Sequence, residues 1–244
     1  LFSDLDISAT WAVVAAMLDK NNKMINVVDK KAWYNPRIIE KILSSKVYQE
    51  IASHSYSHPN FANYNEHYIE EDFQKADYFF SKNNINVNSF VFPRNQIRYL
   101  KLLNNYGFKI FRSQDKSFYK KIYKQNKFLG KIANIVDKII PISANTITPK
   151  ISNYNLTELE SSLLFISRYG YKKIISEYSI YKKAKLCIDL AIERNECFHL
   201  WFHPSNFYYN TSNQIKLFRK ILKYADDNRK KGKLSINTFN NYII

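Results

Sequence analysis

A chain of 244 residues with 45% hydrophobic and 16% aromatic side chains can bury a substantial core, which excludes an intrinsically disordered protein. No apolar run approaches the ~20 residues of a membrane-spanning helix, the longest being WAVVAAML, so no membrane span is expected and the chain reads as soluble. The net charge of +16 suits a polyanion partner (nucleic acid, anionic glycan or membrane surface), yet the densest basic groups, Lys120-Lys121, Lys172-Lys173 and Arg229-Lys230-Lys231, are short. Solvated lysine faces are therefore the reading, with no specific nucleic-acid site.

The chain opens LFSDLDISATW, without Met or a leader pattern, as if it began inside an element already under way. β-branched and aromatic runs predict strands at 9–15, 50–55, 89–93, 108–112, 196–203 and 233–239. Three- and four-residue spacing predicts helices over 36–43, 68–80, 98–106, 181–194 and 213–227. Asn35-Pro36 opens the first of these helices and Gly107 closes the third. The middle, 119–162, is less regular and reads as an insertion or a set of long loops. This alternation argues for βαβ units, hence a parallel α/β sheet or barrel, in one domain spanning 1–244. Four glycines exclude the usual Gly-rich phosphate loops. Cys187 and Cys197 lie in no CxxC or disulfide framework; buried free thiols in a reducing compartment follow, a lean towards the cytoplasm.

In parallel α/β folds functional side chains collect beyond the carboxyl ends of the strands. Three strands here end in polar groups: His54-Ser55-Tyr56-Ser57-His58-Pro59, then Pro93-Arg94-Asn95-Gln96, then His203-Pro204-Ser205-Asn206. His54 and His58 sit four apart, but Pro59 disfavours a helix at His58, and the glutamate of a helical zinc motif is absent. A turn can still bring two neutral imidazoles to one divalent ion; taken alone, a polar turn with backbone-bonded histidines is the simpler account. Arg94 cannot shed its charge and wants a carboxylate or an anionic ligand, or else makes a surface salt bridge. His203 is either satisfied in the core or a general acid or base, with His199 and Trp201 alternating along the same strand. His67 reads as a surface residue.

Taken in order, these segments resemble the polysaccharide deacetylases, the NodB-homology domain of carbohydrate esterase family four. His54-Ser55-Tyr56-Ser57-His58-Pro59 fits the family's second motif. Phe92-Pro93-Arg94-Asn95-Gln96 resembles the third in a branch associated with surface-polysaccharide gene clusters. Leu200-Trp201-Phe202-His203 matches the last, with one extra residue, and residues 7–14 look like the family's second strand.

The resemblance implies a distorted (β/α) barrel of the NodB type and a metal-dependent hydrolysis of N-acetyl groups on a sugar or glycan. His54 and His58 would hold Zn²⁺ or a similar divalent ion, His203 would protonate the leaving amine, and Arg94 would orient a basic aspartate. Ser55 would support the ligands, and Arg112 and Trp201 would line the substrate groove. The family's two acidic residues belong to a first strand that this sequence does not contain. Asp4 and Asp6 fall next to the second strand and are not their equivalents. The expectation is thus a fragment without the third metal ligand or the proton acceptor, inactive by itself. A non-catalytic carbohydrate-binding relative, an amidase on another C–N substrate, and a nucleic-acid binder resting on charge alone are the rival readings. Nothing in the sequence indicates an oligomeric state.

Overall fold

The computed structural model of the protein describes residues 1–22, 33–141 and 143–244. The chain divides into two compact units: residues 2–113, 149–159 and 237–244 form the first, and Leu1, 114–148 and 160–236 form the second.

The first unit is built on four parallel strands in the order β1 (Thr10–Val13), β2 (Glu50–Ser53), β3 (Ser89–Val91) and β4 (Ile110–Ser113). β2, β3 and β4 are buried along their whole length, as expected of parallel strands covered on both faces. β5 (Lys150–Ile151) and β6 (Thr157–Glu160) pair antiparallel and extend the sheet beyond β4. Crossovers carry helix α1 (Pro36–Leu43), α2 (Glu66–Lys82) and α3 (Leu100–Asn105). Asn65 caps α2 by accepting from the Tyr68 amide at 3.0 Å. Gly107, at φ +79°, supplies the left-handed residue that ends the α3 turn. The core is phenylalanine-rich: Phe61, Phe73, Phe90, Phe92, Phe108 and Phe111 pack largely edge to face.

Below this core Glu50 is buried at the start of β2. Its carboxylate accepts from the Thr10 hydroxyl at 2.9 Å, the Ser89 hydroxyl at 2.5 Å and the Asn240 amide at 3.1 Å. The Phe239 amide donates to Thr10 Oγ1 at 3.0 Å. These amides are spent on side chains and not on a neighbouring strand. Residues 233–239 accordingly form no strand, and Phe239–Tyr242 make a 3₁₀ turn, which corrects the sequence expectation there.

The second unit holds α4 (Phe118–Gln125), α5 (Lys127–Ile139), α6 (Glu177–Arg194) and α7 (Thr211–Lys230), with a parallel pair β7 (Leu163–Leu164) and β8 (Leu200–Trp201). The segment 119–162 is therefore regular: two helices and then the β5–β6 pair, not a set of loops. Gly130 on α5 makes the helical hairpin possible, because a Cβ there would lie 2.4 Å from the Tyr123 Cα. Phe165, Phe207 and Phe218, the last on α7, pack together. Lys183 and Asp137 form a buried ion pair at 2.6 Å, backed by the Ser143 hydroxyl 2.8 Å from the same carboxylate oxygen. Cys187 is buried, and burial pushes its thiol up to about 11, whereas Cys197 is only half-buried.

The parallel α/β architecture is the one read from the sequence. Among the described residues the strand pairing comprises a six-stranded and a two-stranded sheet, and it closes no ring of strands.

Candidate active site

The carboxyl ends of β1, β2 and β3 meet at the His54–His58 segment, which is a loop and not a helix. The loop is stitched to the chain after β1: the His54 amide donates to Val13 O at 2.8 Å, and the amides of Ala15 and Ala16 donate to the carbonyls of Ser55 and Tyr56 at 2.9 and 3.1 Å. Ser55 and His58 both adopt positive φ, 67° and 58°, an uncommon state for non-glycine residues that surrounding contacts must impose. Ser55 is fully buried, and its hydroxyl accepts from the His58 amide at 3.0 Å. Ser55 thereby ties the two ends of the turn together.

This turn brings the two imidazoles edge to face with their ring centres 4.7 Å apart. His54 Nδ1 lies 2.6 Å from the carbonyl oxygen of Val91 at the end of β3. A carbonyl only accepts, so Nδ1 carries the proton and donates to it, which leaves Nε2 as the other ring nitrogen. His58 titrates below the usual histidine range, chiefly through burial and further through the nearby Arg94 cation, against the opposing pull of its own backbone hydrogen bond and of Asp72. Neutral imidazole is the form that binds a metal ion.

Asp72, on α2, is the functional residue that the sequence reading missed. It is buried on the helix face that also carries Ile69, Phe73, Ala76 and Phe80. Its carboxylate accepts from the Tyr56 amide at 2.8 Å, the Ser57 amide at 2.9 Å and the Ser57 hydroxyl at 2.6 Å. An acid on an apolar stripe needs such donors, so its place in the helical pattern was the available signal. Tyr56 is tied as well: its ring stacks on Phe79 and its hydroxyl donates to Asp19 at 2.7 Å. Those contacts spend the Tyr56 ring on packing. Beside the loop, the partly exposed rings of Tyr64 and Tyr68 stack on each other at 4.1 Å.

Arg94, read either as wanting a carboxylate or anionic ligand or as making a surface salt bridge, is exposed, at φ 53° in a short turn after β3, close enough for its charge to act on His58. Arg112, at the end of β4, is buried and donates to Asn95 Oδ1 at 2.6 Å, holding that same turn. Burial lowers its guanidinium to about 10, which still leaves it cationic at neutral pH. His203 and Trp201 lie in the second unit. His203 is exposed, with its ring edge to face with Trp201 at 5.2 Å and its amide donating to Asn206 Oδ1 at 2.6 Å. Trp201 lines a cavity of about 120 Å³ with Lys183, Asp137 and Cys187. His199 Nδ1 faces the Glu160 carbonyl at 3.1 Å, and His67 is a surface residue 3.5 Å from Glu71.

Among the described residues no group of three or more His, Cys, Asp or Glu side chains is placed to hold a metal ion. The chemistry of the pair nevertheless fits two ligands of one: imidazole is a common metal ligand, His58 is held toward its neutral form, and the outer contact of His54 makes its Nδ1 the donor to Val91.

An α/β protein with paired histidines at the carboxyl ends of its central strands is the class that this fold and site define. The polysaccharide deacetylase family model matches residues 1–111, the segment holding His54, Ser55, His58 and Arg94. Over those residues the chain is polysaccharide-deacetylase-like, as its motifs indicated. Its fold is similar to that of a Mycobacterium smegmatis protein assigned as a polysaccharide deacetylase, with TM-score 0.57 and 12% identity over 97% of this chain and 77% of that one. A CE4 family pseudoenzyme from Bacillus anthracis aligns with TM-score 0.42 and 13% identity over 97% of this chain and 64% of that one. No curated protein matches the chain.

Proposed function

We propose that the chain serves a hydrolase that removes N-acetyl groups from a sugar or polysaccharide of the cell surface, with a divalent ion, Zn²⁺ or similar, held in part by His54 and His58. The observation that carries this reading is the pair itself: two imidazoles held 4.7 Å apart at strand ends, inside the segment that matches the deacetylase family. When bound there, such an ion acidifies a water and polarises the acetamide carbonyl. Val91 sets the ligating face of His54, and Ser55 and Asp72 hold the turn that presents His58. Burial, helped by the cation of Arg94, keeps His58 neutral, and that cation favours negative charge developing beside it. His203, an exposed imidazole, has the chemistry of a general acid for the leaving amine. The stacked Tyr64 and Tyr68 offer an aromatic wall for a sugar face. The reaction also requires a carboxylate to complete the ion's ligands and to take a proton from water, and among the described residues no third His, Cys, Asp or Glu joins the pair in a group placed to hold an ion.

That same observation favours a second reading, a carbohydrate-binding relative without catalysis; an amidase on another C–N substrate is a variant of the first. Release of acetate from N-acetylated oligosaccharides by the protein expressed from its complete reading frame, measured with Zn²⁺ present, separates them. Acetate release abolished by His54→Ala supports the hydrolase. Oligosaccharide binding with no release, unchanged in His54→Ala, supports the binding module and overturns the hydrolase.

A further inference from the structure

The helical hairpin of α4 and α5 carries a surface that the deacetylase reading does not use. At 100° per residue, Ile135, Phe128, Ile139, Ile132, Val136 and Leu129 fall within an arc of about 120° on α5. This face is not packed away. Phe128 is 70% exposed, Leu129 52% and Ile132 42%, and Ile140 just beyond the helix is 56% exposed. The opposite side of α5, Gly130 and Asp137, is the one buried within the unit. A contiguous patch of large exposed apolar side chains marks an interaction surface.

The charge around the patch selects its occupant. Residues 118–140 contain six lysines and one acid. That acid, Asp137, is buried and paired with Lys183. Lys121, Lys124, Lys127 and Lys131 are exposed, with Lys127 and Lys131 flanking one edge of the apolar arc. A second copy of the chain would set this basic hairpin against its own like charge. An anionic bilayer accepts both parts: phenylalanine, leucine and isoleucine enter the acyl boundary while lysines reach the head groups. No helix among the described residues is long and apolar enough to cross a membrane, so the contact is peripheral. We infer that the α4–α5 hairpin docks this protein on anionic lipid membranes, with the Phe128–Leu129–Ile132 face inserted and Lys124, Lys127 and Lys131 at the head groups.

Co-sedimentation with phosphatidylglycerol-rich vesicles, against pure phosphatidylcholine vesicles at roughly 0.15 M salt, tests this directly. The protein should bind the anionic vesicles and not the neutral ones. Phe128→Ser with Leu129→Ser and Ile132→Ser should weaken binding about tenfold or more. Lys124→Gln with Lys127→Gln and Lys131→Gln should weaken it about a hundredfold. Equal neutralisation on α7 and beyond it, Lys216→Gln with Lys220→Gln and Lys231→Gln, should leave most of the binding. All the substituted side chains are exposed, so the melting temperature should stay at the wild-type value; should the serine variant melt early, Phe128→Ser alone replaces it. Absence of binding to anionic vesicles overturns the inference and leaves the face to an acidic protein partner. Wild-type binding by the serine variant, or an equal loss in the α7 control, also overturns it, because attraction would then be a property of the +16 chain and not of the hairpin.

Discussion

The Nδ1 atom of His54 lies 2.6 Å from the carbonyl oxygen of Val91, so the end of one strand sets the tautomer of a side chain leaving its neighbour. No sequence spacing conveys this contact, since the two residues are 37 positions apart. It fixes which nitrogen of His54 is presented, while the turn through Ser55 fixes where His58 sits.

Asp72 is the first residue to test. Its carboxylate takes two amides and a hydroxyl from the Tyr56–Ser57 turn. Asp72→Ala leaves buried donors without a partner and should destabilise the fold by roughly 2–4 kcal/mol. Chemical denaturation measures that loss, and Zn²⁺ affinity should fall with it because the turn that presents His58 is released. Wild-type stability in this variant would show that the turn holds itself.

His58 predicts a pH dependence. Its folded-state pKa is lowered, mainly by burial, so between the folded value and the unfolded value of about 6.5 the unfolded chain binds more protons. The stability tied to neutral His58 is fully present above pH ~6.5 and is lost as pH falls through the folded value. Melting curves of metal-free protein from neutral to mildly acidic pH should show that loss, and His58→Gln should remove this part of the slope.

Much of this was legible in advance. The strands β1 to β4 and the helices α1 to α3 stand out because apolar runs alternate with three- and four-residue spacing. The His54–His58 turn is local, and Pro59 rules out the helical alternative. Asp72 was hidden because Glu70 and Glu71 precede it and make a solvated acidic face the natural reading of that stretch. The hairpin of α4 and α5 lies in a stretch that reads as an insertion or a set of long loops, because its apolar face is exposed and its lysines blur the periodicity. Residues 233–239 look like a strand, yet Thr10 and Glu50, distant in sequence, capture the amides that follow.

Glu50 is a second buried anchor. Three donors, from Thr10, Ser89 and Asn240, converge on its carboxylate from two strands and the C-terminal turn. Glu50→Leu should cost roughly 2–4 kcal/mol by orphaning those groups, without changing the His54–His58 turn. Denaturant titration reads the loss, and unchanged stability would show that water replaces the carboxylate.

Gly130→Ala tests the close crossing in the second unit. The added Cβ would meet the Tyr123 backbone at 2.4 Å, so the hairpin must open at a cost of roughly 1–3 kcal/mol. A lowered melting temperature checks it; the higher helix propensity of alanine would raise stability if the crossing were loose.

Titration of Zn²⁺ into metal-free protein at about pH 7.5, above the unperturbed histidine pKa, tests the central claim most directly. The account predicts one ion per chain, with affinity falling at least about tenfold in either His54→Ala or His58→Ala and unchanged in His67→Ala or His199→Ala. Zn²⁺ binding that survives both single substitutions at full affinity would contradict it, as would a wild-type protein that binds no ion.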